Sequence, residues 1–324
     1  MHYDVIGDIH GQADKLEALL ARLGYRQRAG VWILPGGRRK AVFVGDLIDR
    51  GPEQLRTVQI VRRMMEEGQA LAVMGNHELN AIAWHTPDPD FPGDFLRRRH
   101  HPAAKGARNR RQHQRFLEEV QHDAHLHAEI VRWFRTLPLW LDLGGLRVVH
   151  ACWHTPSIEV LEPLLGPDHC LPRHLLPRAL GDAQEHPRLE GDEVLCAVET
   201  LLKGPEMDLP AGLSYLDPDG HERRRCRVQW WVQDPQNLAQ LLSAPKGLRE
   251  ALMQRPVPPG AAPCRQVAKG PVIFGHYWMP AQQTPRPLHL QAACVDYSAA
   301  KGGSLVAYRW HGETELRAEH FVQT

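Results

Sequence analysis

The sequence predicts an α/β fold in which helices cover a sheet. Three strand–helix units follow one another in the first part of the chain. Each has a short apolar strand, a polar loop and a segment with the apolar stripe of a helix. At 324 residues the chain is near the upper size limit of one domain, so we expect a single domain over residues 1–324.

The first unit begins with a strand at residues 3–6, which ends at the sequence Gly-Asp-Ile-His-Gly of residues 7–11. Leucines then recur at positions i, i+3, i+4 and i+7, the spacing that gives a helix one apolar face. These leucines are Leu16, Leu19, Leu20 and Leu23. We therefore expect a strand, a polar loop and a helix that covers the sheet.

The second and third units repeat this order. An apolar strand at residues 41–44 runs into the polar loop 45–51, and Pro52 can open the helix that follows. The third strand, residues 71–74, stops at Gly-Asn-His-Glu, residues 75–78. Each strand therefore ends at a loop that carries acidic, amide or imidazole side chains.

Two later strands end in the same way. Residues 146–149 run into His150, and residues 272–274 run into Gly275 and His276. A strand at residues 139–143 is expected to pair with the first of these through a two-residue Gly-Gly turn. Five separate strands thus end near a polar residue that can bind a metal ion.

The remaining segments are less regular. Apolar runs at residues 290–295, 305–310 and 316–322 predict a meander of antiparallel strands. Residues 85–135 and 155–265 interrupt the strand pattern, and the second stretch contains no signal for an independent linker. We interpret both as insertions that border the functional site rather than as separate domains.

Composition narrows the class of protein. The formal net charge of +1 argues against a surface that binds polyanions as a whole. No apolar run approaches the roughly 18–20 residues of a membrane span, so we expect a soluble protein without a membrane partner. Six scattered cysteines form no C-x-x-C pair, which favours reduced thiols and a cytoplasmic location.

Metal-ligand residues follow all five of these strands. The carboxyl ends of strands in an open α/β sheet converge on one crevice, so these residues are expected to meet. The candidate ligands are Asp8, His10, Asp46, Asn76, His150 and His276. Imidazole and oxygen donors together suit Mn, Fe, Zn or Ni, and the lack of cysteine argues against a closed structural zinc site.

Five motifs appear in a fixed order: Gly7 to Gly11, Gly45 to Gly51, Gly75 to Glu78, His150, and Gly275-His276. With them the chain resembles the metallophosphoesterase superfamily, and within it the phosphoprotein phosphatase family that includes bacterial diadenosine tetraphosphate hydrolase-like enzymes. The resemblance implies a four-layer α/β/β/α sandwich with helical and irregular insertions. It also places metal ions at the strand ends, between the two sheets.

The same resemblance implies a dinuclear centre. Asp8, His10 and Asp46 would hold one divalent ion, and Asp46, Asn76, His150 and His276 the second, with Asp46 bridging them. Manganese is the expected metal, with Fe, Zn or Ni as alternatives. A hydroxide that bridges the two ions would attack phosphorus in line with the leaving oxygen.

Three further residues receive roles by this resemblance. His77 is the expected general acid that protonates the leaving group, and Asp49 is the carboxylate that orients and charges its imidazole. Arg50 is expected to grip phosphate oxygens, because a planar guanidinium matches two of them at once. Glu78 is expected to support the ligands without binding metal itself.

The substrate stays open between two reactions of one chemistry. The first is a Ser/Thr-type protein phosphatase or general phosphomonoesterase, and the second is a symmetrical dinucleoside tetraphosphate hydrolase. A third reading, from another class, is an idle nucleic-acid or metal-binding module. We rank it last, because mere binding does not require His77 beside Asp49.

Several other side chains are candidates for substrate contact. Tyr297 is expected to edge the pocket and to contact substrate together with Arg50 and Asn76. Base stacking is open to Trp84, Trp153, Trp230, Trp231 and Trp278, and a second phosphate-binding arginine is sought among Arg223, Arg224, Arg225 and Arg227. The basic segment 97–115 lacks interleaved aromatics, so we expect a solvated loop there and do not favour a nucleic-acid partner.

Overall fold

The computed structural model describes residues 1–99, 104–180, 189–216, 220, 222–259 and 270–324. Its helices are α1 (Ala13–Leu23), α2 (Gln54–Glu66), α3 (Asn76–His85), α4 (Ala104–Val120), α5 (Ala124–Phe134), α6 (Thr155–Leu161), α7 (Leu176–Ala179), α8 (Glu193–Lys203), α9 (Leu238–Leu241) and α10 (Lys246–Met253). Its strands are β1 (His2–Ile6), β2 (Arg26–Arg28), β3 (Val31–Ile33), β4 (Arg39–Phe43), β5 (Ala70–Ala72), β6 (Trp140–Asp142), β7 (Arg147–Val149), β8 (Glu206–Asp208), β9 (Tyr215–Leu216), β10 (Glu222–Arg223), β11 (Arg225–Arg227), β12 (Val272–Phe274), β13 (Ala292–Cys294), β14 (Val306–Trp310) and β15 (Phe321–Gln323).

Two sheets form the centre of the molecule. The first has the strand order β15-β14-β1-β4-β5, in which β1, β4 and β5 run parallel. The second has the order β13-β12-β7-β6, in which β13, β12 and β7 run parallel. Because these strands run parallel within each sheet, their carboxyl ends lie on the same side of that sheet.

Alternating side chains build two cores. Val5 and Val42 of the first sheet share one buried cluster with Val148 and Ile273 of the second, so this cluster lies between the sheets. Ile6, the next residue of β1, belongs instead to the cluster that contains the buried leucines of α1. Because successive strand residues point to opposite faces, each sheet packs on both sides, and the expected α/β/β/α sandwich results.

The strands near the C-terminus differ from the predicted meander. The Gly-Gly hairpin is confirmed, since β6 and β7 pair antiparallel. The predicted antiparallel pairing is confirmed for β14 and β15, which belong to the first sheet, whereas β13 pairs parallel with β12 in the second. Apolar runs indicate strands but not the sheet they join, which depends on long-range pairing that local patterns do not contain.

The basic segment is not a solvated loop where the structure describes it. Arg98 is buried with its guanidinium over the ring of Phe91, and Arg99 lies over the ring of Phe95. From Ala104 onward the segment forms α4. Arginine stems pack well on apolar surface, so a run of cations can line a folded helix–loop insertion. His100 and His101 lie outside the described residues.

No helix in the described ranges combines the length and the apolar character that a bilayer span requires.

Candidate active site

The six predicted ligands follow the carboxyl ends of five strands. Asp8 and His10 follow β1, Asp46 follows β4, Asn76 follows β5, His150 follows β7 and His276 follows β12. β1, β4 and β5 belong to one sheet, and β7 and β12 belong to the other. The site therefore lies where the carboxyl ends of strands from both sheets meet. The parallel strands of each sheet deliver their terminal residues to this place, as the sequence pattern predicts.

Asp46 lies at the centre of this group. Its Oδ2 is 3.5 Å from Nε2 of His10, and its Oδ1 is 3.4 Å from Nε2 of His150. His150 Nε2 in turn lies 3.0 Å from Oδ1 of Asn76 and 3.2 Å from Nδ1 of His276. The structure thus gathers imidazole, carboxylate and amide donors around one carboxylate that can serve two ions.

Asp8 completes the group from the other side. Its carboxylate accepts a hydrogen bond from the backbone N–H of His276 at 3.1 Å. Burial and the neighbouring charges of Asp296 and Asp46 raise the pKa of Asp8 well above its ordinary value. Carboxylates crowded in a buried space repel one another, and cations would relieve that repulsion.

The unpartnered atoms of the site fit metal ions. Nε2 of His10 and Nε2 of His276 are buried and have no hydrogen-bond partner among the described residues. His10 and His150 donate Nδ1–H to the carbonyl oxygens of Ile48 and Val44, which leaves a lone pair on each Nε2. Burial lowers the pKa of His10 to about 3, so its imidazole is neutral, as metal binding requires.

The backbone holds these residues in unusual conformations. His10, Asp46, Asp49, Arg50 and His276 all have positive φ angles between 50° and 73°, which non-glycine residues rarely adopt. Each such residue costs of order 1–3 kcal/mol and persists only where the surroundings enforce it. The loops after β1, β4 and β12 therefore store strain at the place where the ligands converge.

Glu78 secures two of these loops. Its buried carboxylate accepts hydrogen bonds from the backbone N–H groups of Asp46, Leu47 and Gly75, at 2.8 to 2.9 Å. The loop after β4 is thereby tied to the start of α3, which carries Asn76 and His77. Glu78 thus holds the backbone of the segments that carry Asp46 and Asn76.

His77 faces both the metal-ligand group and a carboxylate. Its Nδ1 donates to Oδ2 of Asp49 at 2.5 Å, and its Nε2 lies 3.9 Å from Oδ2 of Asp46. Burial opposes the charge on Asp49, but His113 and His77 outweigh it and lower the pKa of this carboxyl below its ordinary value. Asp49 is therefore ionised and can hold the ring of His77 in place.

Arg50 is exposed beside the group, and its guanidinium lies 4.5 Å from the ring centroid of Trp278. The ring of Trp278 also stacks on His10 at 5.5 Å, and Nζ of Lys301 lies 4.1 Å from its centroid. Of the five candidate tryptophans, Trp84, Trp153, Trp230 and Trp231 are buried in the core. Trp278 is the one of this set that is partly exposed next to the ligands.

The structure bears on two expectations about substrate contacts, the position of Tyr297 and the choice of a second phosphate-binding arginine. Tyr297 is 2% exposed, and its hydroxyl accepts from the backbone N–H of Arg286. It packs in the interior against Phe321 and does not edge the site. Among the candidate arginines, Arg223, Arg224 and Arg225 are exposed, whereas half-buried Arg227 is close enough to help burial lower the pKa of His276.

Sequence patterns also missed one residue. His113 of α4 is buried, and its Nδ1 lies 2.8 Å from Oδ1 of Asp49. It sits in a helix rich in Arg and Gln, far along the chain from any motif. A lone polar residue on a buried helical position was the only available signal, and it does not identify a partner.

Comparison with known proteins agrees with this geometry. The family model described as "Calcineurin-like phosphoesterase" matches residues 1–175, which is more than half of the chain. A crystal structure of a mutant cold-active protein tyrosine phosphatase aligns over 98% of this chain and 80% of its own, with a TM-score of 0.50 and 17% identity. At this identity, the structural likeness concerns the fold alone.

Curated relatives match shorter segments. The asymmetrical bis(5'-nucleosyl)-tetraphosphatase PrpE of Geobacillus thermodenitrificans is 49% identical over 77 residues, which cover 24% of this chain and 31% of the relative. The enzyme of the same name from Oceanobacillus iheyensis is 28% identical over 151 residues, covering 47% of this chain and 55% of the relative. The matches thus span about a third to about half of these relatives.

Proposed function

Because this chain belongs to the calcineurin-like phosphoesterase family, we propose that it hydrolyses phosphate esters with two divalent metal ions held at the edge shared by its two sheets. The grouping of five imidazole, carboxylate and amide side chains around Asp46 carries the proposal. The buried, unpartnered Nε2 atoms of His10 and His276 support it, because they are free to bind metal. All six predicted ligands follow strand ends at this site.

Asp8, His10 and Asp46 would hold one ion, and Asp46, Asn76, His150 and His276 the other. Bound ions would neutralise the phosphoryl oxygens and supply a water molecule of lowered pKa. Manganese is our first candidate, although a mixed nitrogen and oxygen ligand set also accepts Fe, Zn or Ni.

The protein's own side chains would carry the remaining tasks. His77, oriented by Asp49, would donate a proton to the leaving oxygen. Arg50, exposed beside the ligands, would bind non-bridging phosphate oxygens, and its contact with Trp278 would restrict where the guanidinium points. Asn76 would contact the phosphoryl group from the start of α3.

Phosphomonoesters are the first substrate class that we propose, including phosphorylated Ser or Thr side chains. The metal-ligand side chains and Arg50 can bind a single phosphoryl group, and none of them selects a particular leaving group.

A nucleotide polyphosphate is the second candidate. The relatives named as bis(5'-nucleosyl)-tetraphosphatases support it, and so does Trp278, a partly exposed ring beside the cations Arg50 and Lys301. An aromatic ring next to phosphate-binding groups can stack on a base.

A parallel assay separates these substrates. Mn²⁺-loaded protein is supplied with p-nitrophenyl phosphate, a phosphoserine peptide and diadenosine tetraphosphate at equal concentration, and products are read by phosphate release and chromatography. Higher kcat/KM on the peptide supports the first class. Dominant cleavage of the dinucleotide supports the second, and its products distinguish symmetrical cleavage to ADP from asymmetrical cleavage to ATP and AMP.

A further inference from the structure

The carboxylate of Asp49 contacts two imidazole rings, one through each of its oxygens. Nδ1 of His77 lies 2.5 Å from Oδ2, and Nδ1 of His113 lies 2.8 Å from Oδ1. His77 belongs to α3, whereas His113 belongs to α4 in the insertion of residues 85–135. The buried carboxylate of Asp49 therefore connects the insertion to His77, the proposed general acid.

The direction of the second hydrogen bond follows from its partners. An ionised carboxylate only accepts hydrogen bonds, so Nδ1–H of His113 is the donor. Nε2 of His113 is buried and finds no hydrogen-bond partner in the described part of the chain. Asp49 therefore accepts one hydrogen bond from α3 and one from α4.

The helix that carries His113 is fixed at two points. Arg97 donates to Oδ1 of Asn80 on α3 at 2.6 Å and to Oε1 of Gln112 on α4 at 2.8 Å. Further along α4, the carboxylate of Glu119 accepts from the backbone N–H groups of Gln54 and Leu55, at the start of α2. The position of His113 relative to α3 is therefore set by tertiary contacts.

We propose that His113 is a positioning residue for protonation of the leaving group. One hydrogen bond leaves a carboxylate able to turn about its terminal torsion, which is broad and roughly two-fold. A second donor on the other oxygen, from a different helix, fixes the carboxylate plane and with it the ring of His77. This inference rests on the proposed function, because it assigns His113 a part in that reaction.

Two amide substitutions isolate the hydrogen bond. His113→Asn places an amide N–H near the position of Nδ1, so it keeps a donor for Asp49. His113→Gln places its amide near the position of Nε2 and removes that donor while retaining a polar side chain. The matched control is His127→Gln, because the His127 ring also packs against Phe116 but belongs to α5.

The readout is kcat on two esters that differ in leaving group. An alkyl phosphate needs a proton on its leaving oxygen, whereas p-nitrophenolate departs with little help. We expect His113→Gln to lower kcat for the alkyl phosphate about 10- to 100-fold, because losing a residue that orients a functional side chain typically costs that much activity. The loss on p-nitrophenyl phosphate should stay under about 3-fold, with KM little changed, because general acid catalysis is then hardly needed. His113→Asn and His127→Gln should retain the wild-type rates.

A double variant completes the test. If His113 acts through His77, adding His113→Gln to His77→Asn should cost almost nothing further on the alkyl phosphate. Equal losses on both esters, a full additional loss in the double variant, or an Asn variant as slow as the Gln variant would overturn the positioning role. Wild-type protein without turnover of either ester would instead overturn the proposed function, and this inference with it.

Discussion

Gly275 packs directly against the carboxylate of Asp8. A Cβ atom at Gly275 would overlap Oδ1 of Asp8 and lie 2.8 Å from Cγ2 of Val44, which leaves no space for any side chain. The strand β12 and the loop after β1 approach each other at this point, and His276 follows immediately. This close approach is what lets one sheet deliver His276 to a carboxylate that belongs to the other.

We predict that Gly275→Ala displaces Asp8 and lowers metal-dependent turnover at least about 10-fold, because overpacking moves a ligand or its backbone. The same substitution should lower the free energy of unfolding by about 1–3 kcal/mol. Urea unfolding and phosphate release measure the two effects. Gly247→Ala is the control, since nothing lies within 4 Å of a Cβ there. If Gly275→Ala behaved like Gly247→Ala, the close packing described for Asp8 would be wrong.

Removing either of two proposed metal ligands, Asp46 or His276, should abolish activity. Asp46→Asn takes a charge from the centre of the group, and His276→Ala removes a buried imidazole. Each is expected to lower kcat/KM by more than the roughly 10- to 100-fold typical of losing a partner of a ligand. Metal content by elemental analysis should fall in both variants. Exposed His174→Ala is the control, and a fully active His276→Ala protein would remove that residue from the site.

If His77 is the general acid, the loss of kcat on replacing it should depend on the leaving group of the substrate. His77→Asn should lower kcat for an alkyl phosphate by about 100-fold or more, within the range that general acid catalysis contributes. The effect on p-nitrophenyl phosphate should be much smaller, and bound metal should be largely retained. Stopped assays with both esters test this. Equal loss on both, together with lost metal, would indicate that His77 binds an ion, as its distance from Asp46 also permits.

Trp278 is expected to influence substrate binding through Arg50. Trp278→Leu removes the ring under the guanidinium, and contacts of this kind are worth about 0.5–2 kcal/mol. KM for a phosphate ester should therefore rise by about 2- to 30-fold, with a smaller change in kcat. Steady-state kinetics measure both constants, and Trp32→Leu, at a partly buried ring of β3, serves as control. An unchanged KM would mean that Arg50 needs no help from this ring.

Metal removal should lower stability as well as activity. The stripped protein holds the buried carboxylates of Asp8, Asp46 and Asp296 close together, and burial and this crowding raise the pKa of Asp8. An ion that binds only the folded state adds about 2.7 kcal/mol at a free concentration about 100 times its Kd. Thermal unfolding of chelator-treated protein, with and without Mn²⁺, measures the difference. An identical transition in both samples would contradict binding at this group.

The sequence predicted the candidate ligand group because each of its six residues follows the end of a strand within one or a few residues. Local pattern therefore located Asp8, Asp46 and His276, and convergence of strand ends brought them together. Sheet assignment of β13 could not be obtained in this way, because it depends on pairing with a distant strand.

Residues that act from the insertions were harder to predict. His113 and Glu119 lie on one helix whose docking is decided by contacts with α2 and α3, and neither belongs to a motif. Burial also separated Trp278 from the four other tryptophans, which the sequence could not rank. Tyr297 was misjudged for the same reason, because tertiary packing rather than its neighbours in sequence turns it inward.

Metal-dependent hydrolysis is measured as phosphate release from p-nitrophenyl phosphate by metal-stripped protein, before and after addition of Mn²⁺. We expect negligible release by the stripped protein, restoration by Mn²⁺, and no restoration in Asp46→Asn. Turnover that persists after complete metal removal would contradict metal-dependent hydrolysis, as would a folded protein that stays inactive with Mn²⁺, Fe²⁺, Zn²⁺ and Ni²⁺ alike.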